Sequence, residues 1–132
     1  MKTLFSLTIF VVLFAFDASS QTIIGANVAA GYIGKTVIIT EKVYSGKLMR
    51  PSNTTVLNIG GYAPEQQLTV IISAANRSKF QGKPEEDFKG KDITVSGKVV
   101  RYKGKPAIIV SDPKQLKVIL IDNTKGVPAK QF

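Results

Sequence analysis

Apolar and polar residues alternate along most of this chain. From Lys35 to Tyr44, Val37, Ile39 and Val43 share one parity, while Thr36, Thr40 and Lys42 hold the other. Ile38 blurs this pattern only slightly. It predicts a strand with one face in a core and one in water. Gly46, Pro51 and Asn53 then interrupt the alternation and predict a loop over Ser45–Asn53. A second strand is expected over Thr54–Ile59, ended by Gly60-Gly61. A turn through Tyr62–Gln66, containing Pro64, leads to a third over Leu68–Ser73, where Leu68, Val70 and Ile72 share a face. Between Asn76 and Lys89 the alternation stops and charge rises. Pro84-Glu85-Glu86-Asp87 predicts the first turn of a short helix, with proline at its first position and carboxylates at the positive dipole end. Phe80 and Phe88 are expected to cap the core from this segment. Gly90 opens a fourth strand, Lys91–Tyr102, with Ile93, Val95 and Val99 inward. Lys103-Gly104-Lys105 reads as a tight hairpin turn, Pro106–Ser111 as a fifth strand, and Asp112-Pro113 as its stop. Leu116–Ile121 is apolar enough for an edge strand or for packing on the others. Thr124–Phe132 reads as a loose tail. The predicted core is therefore Val37, Ile39, Val43, Leu57, Leu68, Val70, Ile72, Ile93, Val95, Val99, Ile108 and Val110.

The N-terminus has a different pattern. Lys2 precedes an apolar run from Leu4 to Phe16, broken only by Ser6 and Thr8, and Ala18 and Ser20 fit the small-residue positions of a cleavage site before Gln21. The run is shorter than the roughly 20 residues needed to span a bilayer. Residues 1–20 are thus expected to be a signal peptide, the protein to be exported to the periplasm or the extracellular space, and no membrane span to remain after processing. Residues 21–33 read as a lead-in, 34–119 as one domain and 120–132 as a tail. The chain has no Cys and no His. It forms no disulfides despite an oxidising destination, so packing alone must hold its core. The usual zinc sites and the Ser-His-Asp and Cys-His nucleophile systems are also removed. The formal net charge is +9, and since Lys2 and Asp17 cancel, removing residues 1–20 leaves it unchanged. Such an excess creates a field that concentrates anions at the surface.

Three strands, a short helix and two more strands follow the plan of an OB barrel, and the helix position favours that over an SH3-like barrel. The expected fold class is all-β: a five-stranded OB-type barrel with a short helix between strands three and four, preceded by the cleavable signal peptide. Two strands echo each other, Gly34–Val43 and Gly90–Val99, with Gly, Lys, Lys and Val at matching places. The run Gly90-Lys91-Asp92-Ile93-Thr94-Val95-Ser96-Gly97-Lys98-Val99 leads into Tyr102-Lys103-Gly104-Lys105-Pro106, Ile108, Val110, Asp112-Pro113 and Gln115-Leu116. Together these closely resemble the closing hairpin of small exported bacterial OB-fold proteins of the nucleic-acid-binding type, of the Bacteroidetes kind. Leu57–Pro64 and Leu68–Ile72 resemble the middle strands of the same proteins, so the likeness covers about residues 32–119. It implies fold and lineage; it says little of function, because one fold hosts many. Glu41 departs from the pattern, standing where a small residue such as glycine is common. A carboxylate there would oppose a phosphate if it faced the ligand.

OB barrels bind on the face of strands two and three, between the loops joining strands one to two and four to five. Here the candidates are Lys42, Tyr44, Lys47 and Arg50 from the first side, Asn58 and Tyr62 from the end of strand two, and Arg101, Tyr102, Lys103 and Lys105 from the second hairpin. Lys and Arg neutralise phosphates, and Tyr stacks on bases. The two tips are expected on one side of the barrel, as one positive rim. A second account stands beside this: hairpin tips are simply solvated, Asn58 caps a turn, and Tyr62 and Tyr102 cover the barrel. Arg77 and Lys79 read as a charged face of a connecting segment. Glu85, Glu86 and Asp87 read as a helix start rather than as a metal or acid–base cluster, since consecutive carboxylates diverge and lack a His partner. No cofactor or metal is expected, and no enzyme activity. The expected partner is single-stranded nucleic acid or another polyanion. The alternative is an envelope module that binds a protein or a glycan.

Overall fold

The computed structural model describes residues 21–122 and 127–128. The chain is mostly β. In order, it contains β1 (Thr22–Ile24), a 3-10 helix (Ala26–Tyr32), β2 (Thr36–Met49), β3 (Thr54–Ile59) and β4 (Leu68–Ile72). The single helical turns α1 (Ala74–Arg77) and α2 (Pro84–Asp87) follow, then β5 (Asp92–Tyr102), β6 (Lys105–Ile109), a second 3-10 turn (Pro113–Gln115) and β7 (Leu116–Val118). Two further short strands, β8 (Ile121–Asp122) and β9 (Val127–Pro128), pair with each other. The apolar segment 1–20 expected as a signal peptide lies outside the described residues, as does most of the expected tail.

Seven strands form one sheet in the order β1-β2-β3-β4-β6-β5-β7, and β2 also pairs with β5. That extra pairing closes the five middle strands into a ring. β2 accomplishes this by changing partner. Thr36–Lys42 pairs with β5 and Val43–Met49 with β3, and a register shift between Val43 and Ser45 marks the handover. Such a bulge bends a strand and increases its twist. β5 does the same, with Asp92–Lys98 on β2 and Val99–Tyr102 on β6. β4 and β6 pair in parallel.

All twelve residues predicted as core are fully buried. Phe80 and Phe88 pack edge to face, 6.1 Å apart, against that core. The alternation could locate these positions because each strand keeps one face on the ring's interior. Two segments depart from the expectation. Ser45–Met49 continues β2 rather than forming a loop; Gly46 hides the alternation there, because it contributes no apolar side chain on the inner parity. The lead-in is structured: β1 runs parallel to β2, and the following 3-10 helix buries Ala26 and Ala29 in the core. Small alanines carry too weak a hydrophobic signal to have marked this.

The Asp112-Pro113-Lys114-Gln115 run acts as a clasp. Asp112 accepts from the Lys114 N–H in a capping box, while Gln115 Oε1 accepts from the Ser111 and Asp112 backbones and from Ser111 Oγ. Gln115 Nε2 donates to the Ser96 carbonyl at 3.0 Å, tying the end of the fifth ring strand to β5. Gly97 makes room for this: a Cβ there would lie 2.7 Å from Ile108 Cγ2 and 3.2 Å from Gln115 Nε2. Gln115→Ala is therefore expected to lower stability by about 1–3 kcal/mol in urea melts, since it strands several backbone groups. An unchanged midpoint would show that water replaces the amide without loss.

Candidate ligand-binding groove

Beyond the bulge, β2 alternates Ser45, Lys47 and Met49 on the outside with Gly46 and Leu48 on the other face. On β3, Val56 and Asn58 face outward, opposite the buried Leu57 and Ile59. Of these outer positions, Lys47, Met49, Val56 and Asn58 line one groove of about 200 Å3, together with Thr69 of β4, Ala63 and Gln66 of the β3–β4 loop, and Tyr102, Lys103 and Lys105. The β5–β6 hairpin presents its tip through a two-residue turn: Lys103 at φ 49° and Gly104 at φ 77°, flanked by the Tyr102–Lys105 pair. Positive φ at both central residues gives the turn whose twist matches the strands it joins.

Two side-chain hydrogen bonds fix the polar groups beneath the groove. Asn58 Nδ2 donates to Ser45 Oγ at 2.9 Å, and Gln66 Nε2 donates to Thr69 Oγ1 at 3.3 Å. Gln66 Oε1 is buried there without a hydrogen-bond partner among the described residues. The walls carry three lysines and no carboxylate. None of those lysines is in an ion pair; among the described residues the one ion pair is Arg77–Glu85. Lys103 Nζ lies 5.4 Å from the centre of the Tyr102 ring, and Tyr102 as a whole is 36% exposed.

Of the ten candidates, Lys47, Asn58, Tyr102, Lys103 and Lys105 thus line this groove. Lys42, Tyr44 and Tyr62 form a separate cluster: Lys42 Nζ is 5.5 Å from the Tyr44 ring centre, and Tyr44 meets Tyr62 edge to face at 5.2 Å. The β3–β4 loop links the two places, because it carries both Tyr62 and the groove residue Ala63. Arg50 and Arg101 do not join. Arg50, at the start of the β2–β3 turn, lines a different depression, and Arg101 is exposed on β5 and does not line the groove. Glu41 does not oppose a ligand in the groove: it lies on the half of β2 paired with β5, and its carboxylate accepts from the Lys42 N–H at 3.0 Å.

Arg50 lies instead in a wider cleft, of about 850 Å3, between the β2–β3 arm and the helical turns. Its wall holds a pair that sequence reasoning missed. Glu85, 7% exposed, accepts from Arg77 Nη2 at 2.7 Å, from Arg77 Nε at 3.2 Å and from Thr55 Oγ1 at 2.9 Å. The run of carboxylates does start a helical turn, but Glu85 turns into the protein rather than towards the helix end. Lys79, expected beside Arg77 on a charged face, donates to the Ser111 carbonyl at 3.0 Å. The signal available was eight residues of separation between opposite charges, which does not identify a contact.

The Arg77 hydrogen bonds hold the Glu85 carboxyl at about 2, against the opposing effect of burial, and Thr55 assists. The Arg77 guanidinium is raised in turn by the same bond. Because the folded carboxyl binds its proton more weakly than the unfolded one, the pair stabilises the fold above the ordinary glutamate value of about 4.3. That contribution is lost as pH falls from there through about 2. Arg77→Met removes the largest cause of the depression, so the variant is expected to be less stable than the parent at pH 7, with the difference narrowing as pH falls from about 4.3 through about 2. Urea midpoints measured from pH 2 to 7 test this, and parallel profiles would refute it.

No family model matches the chain, and no curated protein matches it. Among solved structures, a chain assigned as an aspartyl-tRNA synthetase from Leishmania major Friedlin is similar, with a TM-score of 0.48 and 12% identity over 80% of this chain. This chain spans about a fifth of that one, 22% of its length.

Proposed function

We propose that this chain is an exported, non-catalytic OB-type barrel that binds single-stranded nucleic acid or another polyanion in the groove between β2–β3 and the β5–β6 hairpin. The closed ring β2-β3-β4-β6-β5, its parallel β4–β6 closure and the helical turns between β4 and β5 support the OB assignment. One observation carries the ligand class: Lys47, Lys103 and Lys105 line a single groove with Tyr102 and no carboxylate. Lysines there attract an anionic backbone, and an exposed tyrosine stacks on a base. The non-catalytic reading rests on the absence of His and Cys from the chain and of any acid–base pair in the groove walls. Among the described residues, no helix is long and apolar enough to cross a membrane.

The test is a fluorescence binding screen of residues 21–132 against single-stranded DNA, RNA, heparin-like polymers and neutral glycans at two salt concentrations. Binding of the polyanions is expected to weaken steeply with salt, with the three groove lysines contributing about 2 units of log–log slope at roughly 0.7 per single-strand contact. Salt-insensitive binding, or preference for a neutral glycan, would replace this reading with the protein- or glycan-binding one.

A further inference from the structure

The groove and the wide cleft share a residue. Lys47 belongs to the walls of both, where β2 forms the ridge between them. Beyond it, Arg50 stands at the tip of the β2–β3 arm and Lys83 just before α2, both exposed and neither in an ion pair among the described residues. Arg77 stands in the same wall. Glu85 engages its Nε and Nη2, which fixes the guanidinium in place and leaves its remaining N–H groups uncommitted by that pair. An arginine already immobilised loses little freedom on meeting an anion. Glu85 is neutralised by Arg77, so Glu86 is the wall's one unpaired carboxylate against Lys47, Arg50 and Lys83.

We propose that the anion-binding surface does not end at the groove but crosses Lys47 into this cleft. Arg50 and Lys83 hold the continuing backbone there, with Arg77 as a fixed donor in the wall. The inference rests on the polyanion reading of the groove. It makes the ligand a linear chain of phosphate or sulfate groups, longer than the groove can hold, rather than a single anionic unit. An anionic polymer crossing the ridge would approach Glu86, which acts against it.

Oligo-dT of about four and about twelve nucleotides spans the range of lengths that single OB barrels cover. Their binding to the parent, to R50Q/K83Q and to E86Q is compared over a salt series, beside short and long heparin fragments. The altered side chains are exposed, and thermal melts confirm that each variant folds as the parent does. For the long oligomer, R50Q/K83Q is expected to bind about tenfold more weakly with a salt slope lower by about 1–1.5 units, while the short oligomer is unaffected. E86Q should strengthen long-chain binding and leave short-chain binding alone. Loss in either polymer upholds the track, and the polymer that shows it is the one the surface reads. If the parent binds both lengths but R50Q/K83Q loses neither, or loses both equally, the track is wrong while the groove stands. If the parent binds no polyanion of any length, the groove reading and the track fall together.

Discussion

Gly46→Ala is expected to destabilise this protein by about 3 kcal/mol, at the upper end for inserting a methyl group into a packed site. For a domain near 100 residues this lowers Tm by roughly 15 °C. The position looks unremarkable in sequence, a glycine in what reads as a loop. In the fold it lies in β2, paired with Leu57, and the backbone carbonyl of Glu85 occupies the place where a Cβ would go. The obstacle is main chain, so no rotamer change can relieve it. Either α2 lifts away from the strand or β2 leaves its ladder. Lifting α2 also pulls Glu85 from Thr55 and Arg77. Gly31→Ala is the matched control, because nothing lies within 4 Å of its Cβ position and its backbone is unstrained. Denaturant melts of the two variants should differ by most of the predicted cost. If Gly46→Ala melts with Gly31→Ala, α2 is not fixed against the strand, and the cleft beside it has no fixed wall.

The second large effect concerns binding. K47Q/K103Q/K105Q is expected to weaken single-stranded oligonucleotide binding about 100-fold at low salt and to flatten the salt dependence by about 2 units. Removing charge anywhere on a protein of net charge +9 weakens attraction somewhat. The comparison is therefore with K89Q/K91Q/K98Q, which removes the same charge from exposed positions that line neither depression. Equal losses in the two triple variants would mean that net charge, rather than the groove, attracts the ligand. Tyr102→Ala separates stacking from charge. It should reduce oligonucleotide affinity, with about 1–3 kcal/mol for each base stacked, and leave heparin-like polymers nearly unchanged. If both polymers lose equally, Tyr102 supports the hairpin rather than the ligand.

The two predictions draw on different parts of the chain's legibility. The core and the hairpin tip were readable because they depend on local rules. Period-two alternation put Val37, Ile39, Val95 and Val99 inside without any knowledge of their partners. Lys103-Gly104-Lys105 marked a tight turn, since glycine takes positive φ without steric cost, as Gly104 does at φ 77°. The residues gathered as a ligand face were half readable: Lys47 and the hairpin lysines meet, whereas Arg50 and Arg101 do not. That distinction depends on which face of a bent strand a residue occupies. The bend lies at a bulge, and one extra residue there changes how the following positions relate to those before it.

By itself the sequence determined the number and kind of ring strands, the inward positions and the positive hairpin tip, since each follows from spacing within about ten residues. Only the tertiary structure decided the rest. β2 serves two neighbours because it bends, and the ring closes because β2 meets β5 about fifty residues later. Gly46 is required because α2 returns to that point from forty positions away. Arg77 and Glu85 pair because two single helical turns place them together beneath Thr55. Apart from the echo between Gly34–Val43 and Gly90–Val99, these contacts join segments that carry no mark of one another in sequence. Their cause is the closure of the ring, which brings distant backbone together and leaves each side chain with only one face to occupy.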